Sequence, residues 1–185
     1  MNKREEYLYV QRILDGETEL FSILLERHSR PVYSLVIQIV SSPEDAEELV
    51  QDIFLKAFRS LSGYKGDASF STWIYRIAYN MAISFTRKRR PEYLYIEEST
   101  INNVPDSDVE NLLFASANEE RIAGLTRAID QLHAEEKAII TLFYYEEKSI
   151  EEIAVILAIT VSNVKVKLHR TRKKIYVLMS KEESV

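Results

Sequence analysis

Three stretches of this chain concentrate side chains able to bind or react. Between Asp67 and Arg90, rings, an amide and cations interleave as Tyr75, Arg76, Tyr79, Asn80 and Thr86, closing on the basic run Arg87-Lys88-Arg89-Arg90. Rings stack on unpaired bases while cations neutralise phosphates and release counterions, so this mixture suits single-stranded nucleic acid. The competing reading is a solvated helix face running into a charged linker. A second group, Glu44, Asp45, Glu47, Glu48, Gln51 and Asp52, is acidic. Clustered carboxylates serve metals or acid–base catalysis, but di-metal helices use Glu-x-x-His pairs on facing helices, and this chain has none. The cluster therefore reads as a solvated helix start or as an acidic docking surface. The third group is Lys165, Lys167, His169, Arg170, Arg172, Lys173 and Lys174, with no acidic residue between Glu152 and Glu182. That bias favours DNA over a merely solvated helix.

Other chemistry is poorly supplied. There is no Cys, so neither a disulfide framework nor a thiolate metal site is expected, and His28, His133 and His169 are too far apart in sequence to suggest zinc. His28 reads as a helix-surface or interface residue, and His133 as a cap or surface residue. Neither a Walker pattern nor G-x-G-x-x-G occurs. The expectation is a protein with no catalytic residues, no metal and no cofactor.

The elements that must hold these groups follow from periodicity. Phe70, Trp73, Ile74, Ile77, Met81 and Phe85 recur every three or four residues, which predicts a helix with that stripe in the core. Trp73 lies on the stripe, so it competes between core residue and stacking platform. The loop from Leu61 to Ser69, with Gly63, Lys65 and Gly66, delivers the chain into this helix. Ser41-Ser-Pro-Glu-Asp starts the preceding helix with a serine cap, a first-turn proline and carboxylates at the positive end of the dipole. Its apolar arc is Ala46, Leu49, Val50, Ile53, Phe54, Ala57, Phe58 and Leu61. Upstream, Tyr7, Val10, Ile13 and Leu14 predict a helix ending at Asp15-Gly16. Phe21, Leu24 and Leu25, then Val32, Leu35, Val36, Ile39 and Val40 beyond Pro31, predict further helix.

After residue 118, Ile122, Leu125, Ile129 and Leu132 form one apolar stripe, and Ala138, Ile139, Leu142 and Phe143 another after a break at His133-Ala134. Ser149 and Glu152 form a capping box, and Ile153, Ala154 and Leu157 pack that helix. Thr160 caps a last helix with Val164, Leu168, Thr171 and Ile175 inward, and the two short elements describe a helix-turn-helix. At about 100° per residue, Ser162, Val166, His169 and Lys173 point outward, flanked by Lys165 and Arg172 on one side. Lys167, Arg170 and Lys174 flank the other. The first members, with Asn163, should reach base edges and the later cations phosphates. Val166 either meets a thymine methyl or has no partner.

At 185 residues, with 46% hydrophobic and 29% charged residues and only four Gly and four Pro, the chain suits two small helical domains. The expected fold is all-α: domains 1–90 and 119–185, the second a four-helix helix-turn-helix domain, joined by an acidic linker 91–118 with a short helix from Asp108 to Ala117. No apolar run approaches the roughly 20 residues needed to span a bilayer, and Met1 leads into no signal-peptide core, so a cytoplasmic protein without membrane insertion is expected. The net charge of −5 argues against a generic nucleic-acid coat, but the charge is segregated: no Lys or Arg lies between Glu92 and Glu120.

Together, Asp45-Ala-Glu-Glu-Leu-Val-Gln-Asp-Ile-Phe, Phe70-Ser-Thr-Trp-Ile-Tyr-Arg-Ile-Ala-Tyr-Asn, Ser149-Ile-Glu-Glu-Ile-Ala and Val164-Lys-Val-Lys-Leu-His-Arg-Thr-Arg resemble the extracytoplasmic-function (group 4) sigma factors of bacterial RNA polymerase. The resemblance spans nearly the whole chain except the linker. It implies a non-enzymatic subunit that directs core polymerase to promoters, with an anti-sigma factor as a common partner. By that likeness Asp45, Glu48, Gln51 and Asp52 dock on core polymerase. Lys65, Trp73, Tyr75, Arg76, Tyr79, Asn80, Arg87 and Lys88 would recognise and melt the minus-ten element. Ser162, Asn163, Lys165, Val166, Lys167, His169, Arg170, Arg172 and Lys173 would read the minus-thirty-five duplex, and the linker would thread toward the RNA exit path. The rival readings are a helix-turn-helix regulator acting without polymerase and a helical carboxylate enzyme. Three positions depart from the family pattern. Ala158 replaces the usual turn glycine, which suits a backbone that avoids the left-handed region. Ser162-Asn163 replaces Gly-Thr, so base preference can differ, and His133 replaces a frequent proline.

Overall fold

Capping chemistry divides the chain into ten α-helices among the residues described by the computed structural model, 3–89, 96–114 and 118–182, excepting the side chains of 112–114 and 182. Helix α1 (Lys3–Leu14) stops before Gly16, whose φ of 117° only glycine adopts readily. After one 3₁₀ turn, α2 (Phe21–Val40) runs unbroken through Pro31, so the two apolar stripes on either side of that proline belong to one helix. Ser42 accepts the Asp45 N–H at 3.3 Å and Pro43 opens α3 (Pro43–Arg59), as the sequence predicts. Ser69 Oγ accepts the Thr72 N–H at 3.1 Å to begin α4 (Phe70–Arg89). These four helices share a core that includes Val10, Leu24, Val32, Ile53, Phe70 and Ile74.

The linker folds as α5 (Glu98–Asn102) and α6 (Asp106–Phe114). Thus the short linker helix begins two residues earlier than predicted; Ala117, its predicted end, and the domain border at Arg90 and Pro91 lie outside the described residues. The second domain contains α7 (Glu119–Asp130), capped by Asn118, then α8 (Ala134–Ile140), α9 (Ile150–Leu157) and α10 (Val161–Glu182). A π-helical turn, Thr141–Tyr145, extends α8. His133 is the N-cap residue of α8, its N–H donating to Glu136 at 2.8 Å. Val164, Leu168, Thr171 and Ile175 all face inward. No strand occurs among the described residues, and no helix there is long and apolar enough to cross a membrane.

Several expected helix faces and one turn need correction. Ile122 is 55% exposed, because α7 turns Gly124, Ala128 and Ile129 inward instead. Phe58, at the rim of the α3 arc, is exposed, leaning on Phe21 at 5.0 Å between ring centres. The buried line of α4 is Phe70, Ile74, Ala78 and Ala82, with Ile77, Met81 and Phe85 only half-buried. Finally, Ala158 does adopt the left-handed conformation, φ 55° and ψ 44°, at the end of α9.

Candidate nucleic-acid interface

On α3, Glu44, Glu47, Glu48, Gln51 and Asp52 are exposed. Leu55 and Phe58 continue that surface at helical spacing, an apolar extension hidden in the sequence because α3 has more apolar residues than its core face can hold. Asp45 departs from the expected docking row: it is half-covered and bound to Arg89 at 2.6 Å, tying the start of α3 to the end of α4.

The loop before α4 presents an exposed Lys65. Beside it, the half-buried Trp73 packs on Tyr64 and Phe70, each 5.5 Å away between ring centres, so one edge belongs to the core and the other to solvent. Arg76, Asn80, Ser84, Arg87 and Lys88 are exposed and recur at helical spacing, forming a polar and basic edge down α4. Ser84 was not among the expected residues; only its place in this row marks it. Tyr75 and Tyr79, expected on the same open face, are instead 2% and 9% exposed. The cause is the second domain, which lies across them. Tyr75 Oη donates to Glu146 at 2.5 Å, Thr72 Oγ1 to Glu152 at 3.2 Å and Lys148 Nζ to Ser71 at 2.8 Å. Burial pushes both phenols above the ordinary tyrosine range, with Tyr79 reaching about 12. Lys137 of α8 crosses to Ser41 at 3.1 Å, and burial lowers its ammonium pKa.

On α10, Ser162, Asn163, Lys165, Val166, His169 and Arg170 are exposed, with Val166 at 55%. The Asn163 N–H is capped by Thr160 Oγ1 at 3.2 Å, which sets the register of the first turn. Arg172 turns to the opposite flank, where Nε donates to Tyr144 Oη at 2.7 Å and the guanidinium lies 5.4 Å from the Phe143 ring centre. Lys173, expected at the outward apex, is mostly covered because α6 rests on it. Lys167 and Arg87 both approach Glu135 of α8 at 3.5 Å. Between α4 and α10 lies a cavity of about 600 Å³, into which Asn163, Val166, Lys167 and Arg170 look from one wall and Ile83 and Arg87 from the other. An acidic helix, a polar and basic edge beside a half-buried tryptophan, and an outward basic helix therefore occur on one chain, two of them facing each other.

Residues 24–92 match the family model described as Sigma-70 region 2, and residues 122–175 the one described as Sigma-70, region 4. The chain belongs to the sigma-70 family. Within it the likeness is to the extracytoplasmic-function group. The ECF RNA polymerase sigma-E factor of Escherichia coli K12 is 32% identical over 179 residues, 92% of each chain. The RNA polymerase sigma-H factor of Pseudomonas aeruginosa is 28% identical over 181 residues, 95% of this chain and 94% of the relative. Among solved structures, CnrH in complex with the cytosolic domain of CnrY matches with a TM-score of 0.67 at 19% identity, covering 95% of this chain and 97% of that one. The sigma factor RpoE in complex with the anti-sigma factor NepR from Bartonella quintana matches with a TM-score of 0.63 at 20% identity, covering 86% and 96%. Those two share the all-helical, two-domain fold. As an extracytoplasmic-function sigma factor, the protein directs core RNA polymerase to promoters and initiates transcription.

Proposed function

We propose that this sigma factor divides its work among three surfaces, in domains 1–90 and 119–185. Glu48, Gln51 and Asp52 of α3, extended by Leu55, dock on core polymerase, while Asp45 positions α4 through Arg89. Lys65, Trp73, Arg76, Asn80, Arg87 and Lys88 take the non-template strand of the minus-ten element, and Tyr75 and Tyr79 join them once the second domain lifts away. Unstacking costs a few kcal/mol per base, which stacking and phosphate contacts offset, so the protein performs no chemistry of its own. On α10, Ser162, Asn163, Lys165 and Val166 read base edges of the minus-thirty-five duplex, and Lys167, His169, Arg170, Arg172 and Lys173 meet phosphates. The protein works in the cytoplasm with the polymerase, and an anti-sigma factor is among its partners, a reading supported by the solved relatives described with CnrY and with NepR.

The observation that carries this assignment is that Glu48, Gln51 and Asp52 stand exposed on α3, a different helix from α4 and α10, which carry the exposed basic residues. Its test is a pair of binding titrations on the full chain. Glu48→Lys with Asp52→Lys should weaken capture of core polymerase by at least about tenfold while leaving duplex binding intact, as expected for charge reversal at an interface. Arg76→Ala with Asn80→Ala should weaken single-strand binding alone. Polymerase capture at full strength by the charge-reversed protein would place docking elsewhere.

A further inference from the structure

We propose that the basic face of α10 is an acid-binding surface whose resident occupant is the chain's own linker, and that duplex DNA must displace it. The proposal rests on α10 being the duplex-reading helix. Arg170 is bound to Glu98 at 2.5 Å, and Lys173 and His169 converge on Asp106 at 2.9 and 3.3 Å. Tyr176 Oη donates to Asp108 at 3.4 Å. Linker carboxylates thus hold cations in the row that would otherwise meet phosphates, so the linker acts as an internal polyanion. Lys173 in turn keeps the Asp106 carboxyl below its usual range, by its hydrogen bond first and its charge second.

Exposed ion pairs contribute little by themselves. What holds the linker in place is apolar: Ile96, Ile101, Val104 and Val109 are each under a tenth exposed, and α5 and α6 both pack on α10. The aliphatic anchors supply attachment, and the carboxylates set which cations are covered. The pairs differ in what opening would do to them. Glu135 with Lys167, and Glu136 with Lys174 at 2.7 Å, lie within the second domain and persist when the domains part. The pairs of Glu98 and Asp106 belong to the linker and are the ones that can be released. The charge pattern agrees, since the stretch between Glu92 and Glu120 contains no Lys or Arg to compete for these carboxylates.

The geometry also opposes simultaneous occupancy. A duplex admits a helix into its major groove only when that helix stands clear of neighbouring structure. Here Val166, Asn163 and Arg170 look into the cavity walled by α4, and Ile101 of the linker lines it too. Bound DNA and the bound linker compete for Arg170, His169 and Lys173, and the apparent affinity for DNA scales with the fraction of molecules in which these cations are uncovered.

The test uses the full chain and a fluorescein-labelled, mixed-sequence DNA duplex, because phosphate contacts do not require a particular promoter. Three proteins are compared with wild type by anisotropy titration at low salt. The triple variant Glu98→Gln, Asp106→Asn, Asp108→Asn releases the carboxylates. Glu110→Gln, Glu119→Gln, Glu120→Gln removes the same charge from exposed positions nearby. Ile101→Ala with Val109→Ala loosens the anchors without changing charge. The first and third should bind duplex about tenfold tighter than wild type, and the control triple by less than about twofold. Equal tightening by both triples reduces the effect to net charge and overturns the proposal, as does unchanged or weaker binding by the first. If the anchor variant loses helical circular dichroism, the two triples decide alone. Absence of duplex binding by every protein, wild type included, would contradict the reading of α10 itself.

Discussion

At Ala158 a methyl group occupies a backbone conformation that disfavours it. The residue ends α9 at φ 55° in the turn of the helix-turn-helix, where its N–H reaches the Ala154 carbonyl. Glycine incurs no Cβ clash there, so Ala158→Gly should stabilise the second domain by about 1 kcal/mol, read as a rise in the urea midpoint. A lower midpoint would mean the turn is not left-handed. The family resemblance marked the position as a turn but not its handedness, because alanine's presence argues for the opposite geometry. His133 offers a second residue-level test. Burial first, and the charge of Lys174 second, lower its pKa below 6.5, against the opposing pull of Glu136 and Glu135. The unfolded chain then takes up the proton first as pH falls, so this contribution is full above about 6.5 and is lost below it. Thermal melts of wild type should drop between pH 6.5 and 5 more steeply than those of His133→Gln. Parallel curves would show that the imidazole is not held neutral.

Helix α4 shows what periodicity resolves and what it leaves open. Its existence, its N-terminal loop and the outward Arg76 and Asn80 were legible from residue spacing. Tyr75 and Tyr79 were not, since a tyrosine at a domain interface has the same residue type and spacing as one offered to a base. Only the contacts distinguish them, Tyr75 with Glu146 and Tyr79 beside Glu135 of α8. Helix α1, outside the matched region 2, bears on the same surface. Lys3 Nζ donates to the Asp67 carbonyl at 2.7 Å, and Tyr7 lies so close over Gly66 that an added Cβ would come within 2.6 Å of its ring. Gly66 also has φ of 78°, so Gly66→Ala meets both backbone strain and a clash. It should weaken binding of a minus-ten single strand by about tenfold and leave duplex binding unchanged. Equal affinity for the strand would detach the loop from recognition.

For the whole molecule, the two-domain all-helical architecture followed from composition and from three motifs in order. The closed arrangement did not, because segregated charge permits domains to meet without specifying how. Here the opposite signs are brought together, linker on α10 and α9 on α4, and the surfaces that should touch DNA touch the protein itself. Glu48, Gln51 and Asp52 of α3 stay exposed in the closed chain, so polymerase, docking there as proposed, can engage the chain before it opens. That order predicts that the purified protein binds promoter DNA weakly by itself and strongly with core enzyme. The most direct measurement is run-off transcription with purified protein and bacterial core polymerase on a genomic promoter library. A sigma factor docked through α3 yields promoter-dependent transcripts from a limited set of sites, lost on Glu48→Lys with Asp52→Lys. A well-folded protein that fails to bind core polymerase, or that yields no promoter-dependent transcript, would contradict this role.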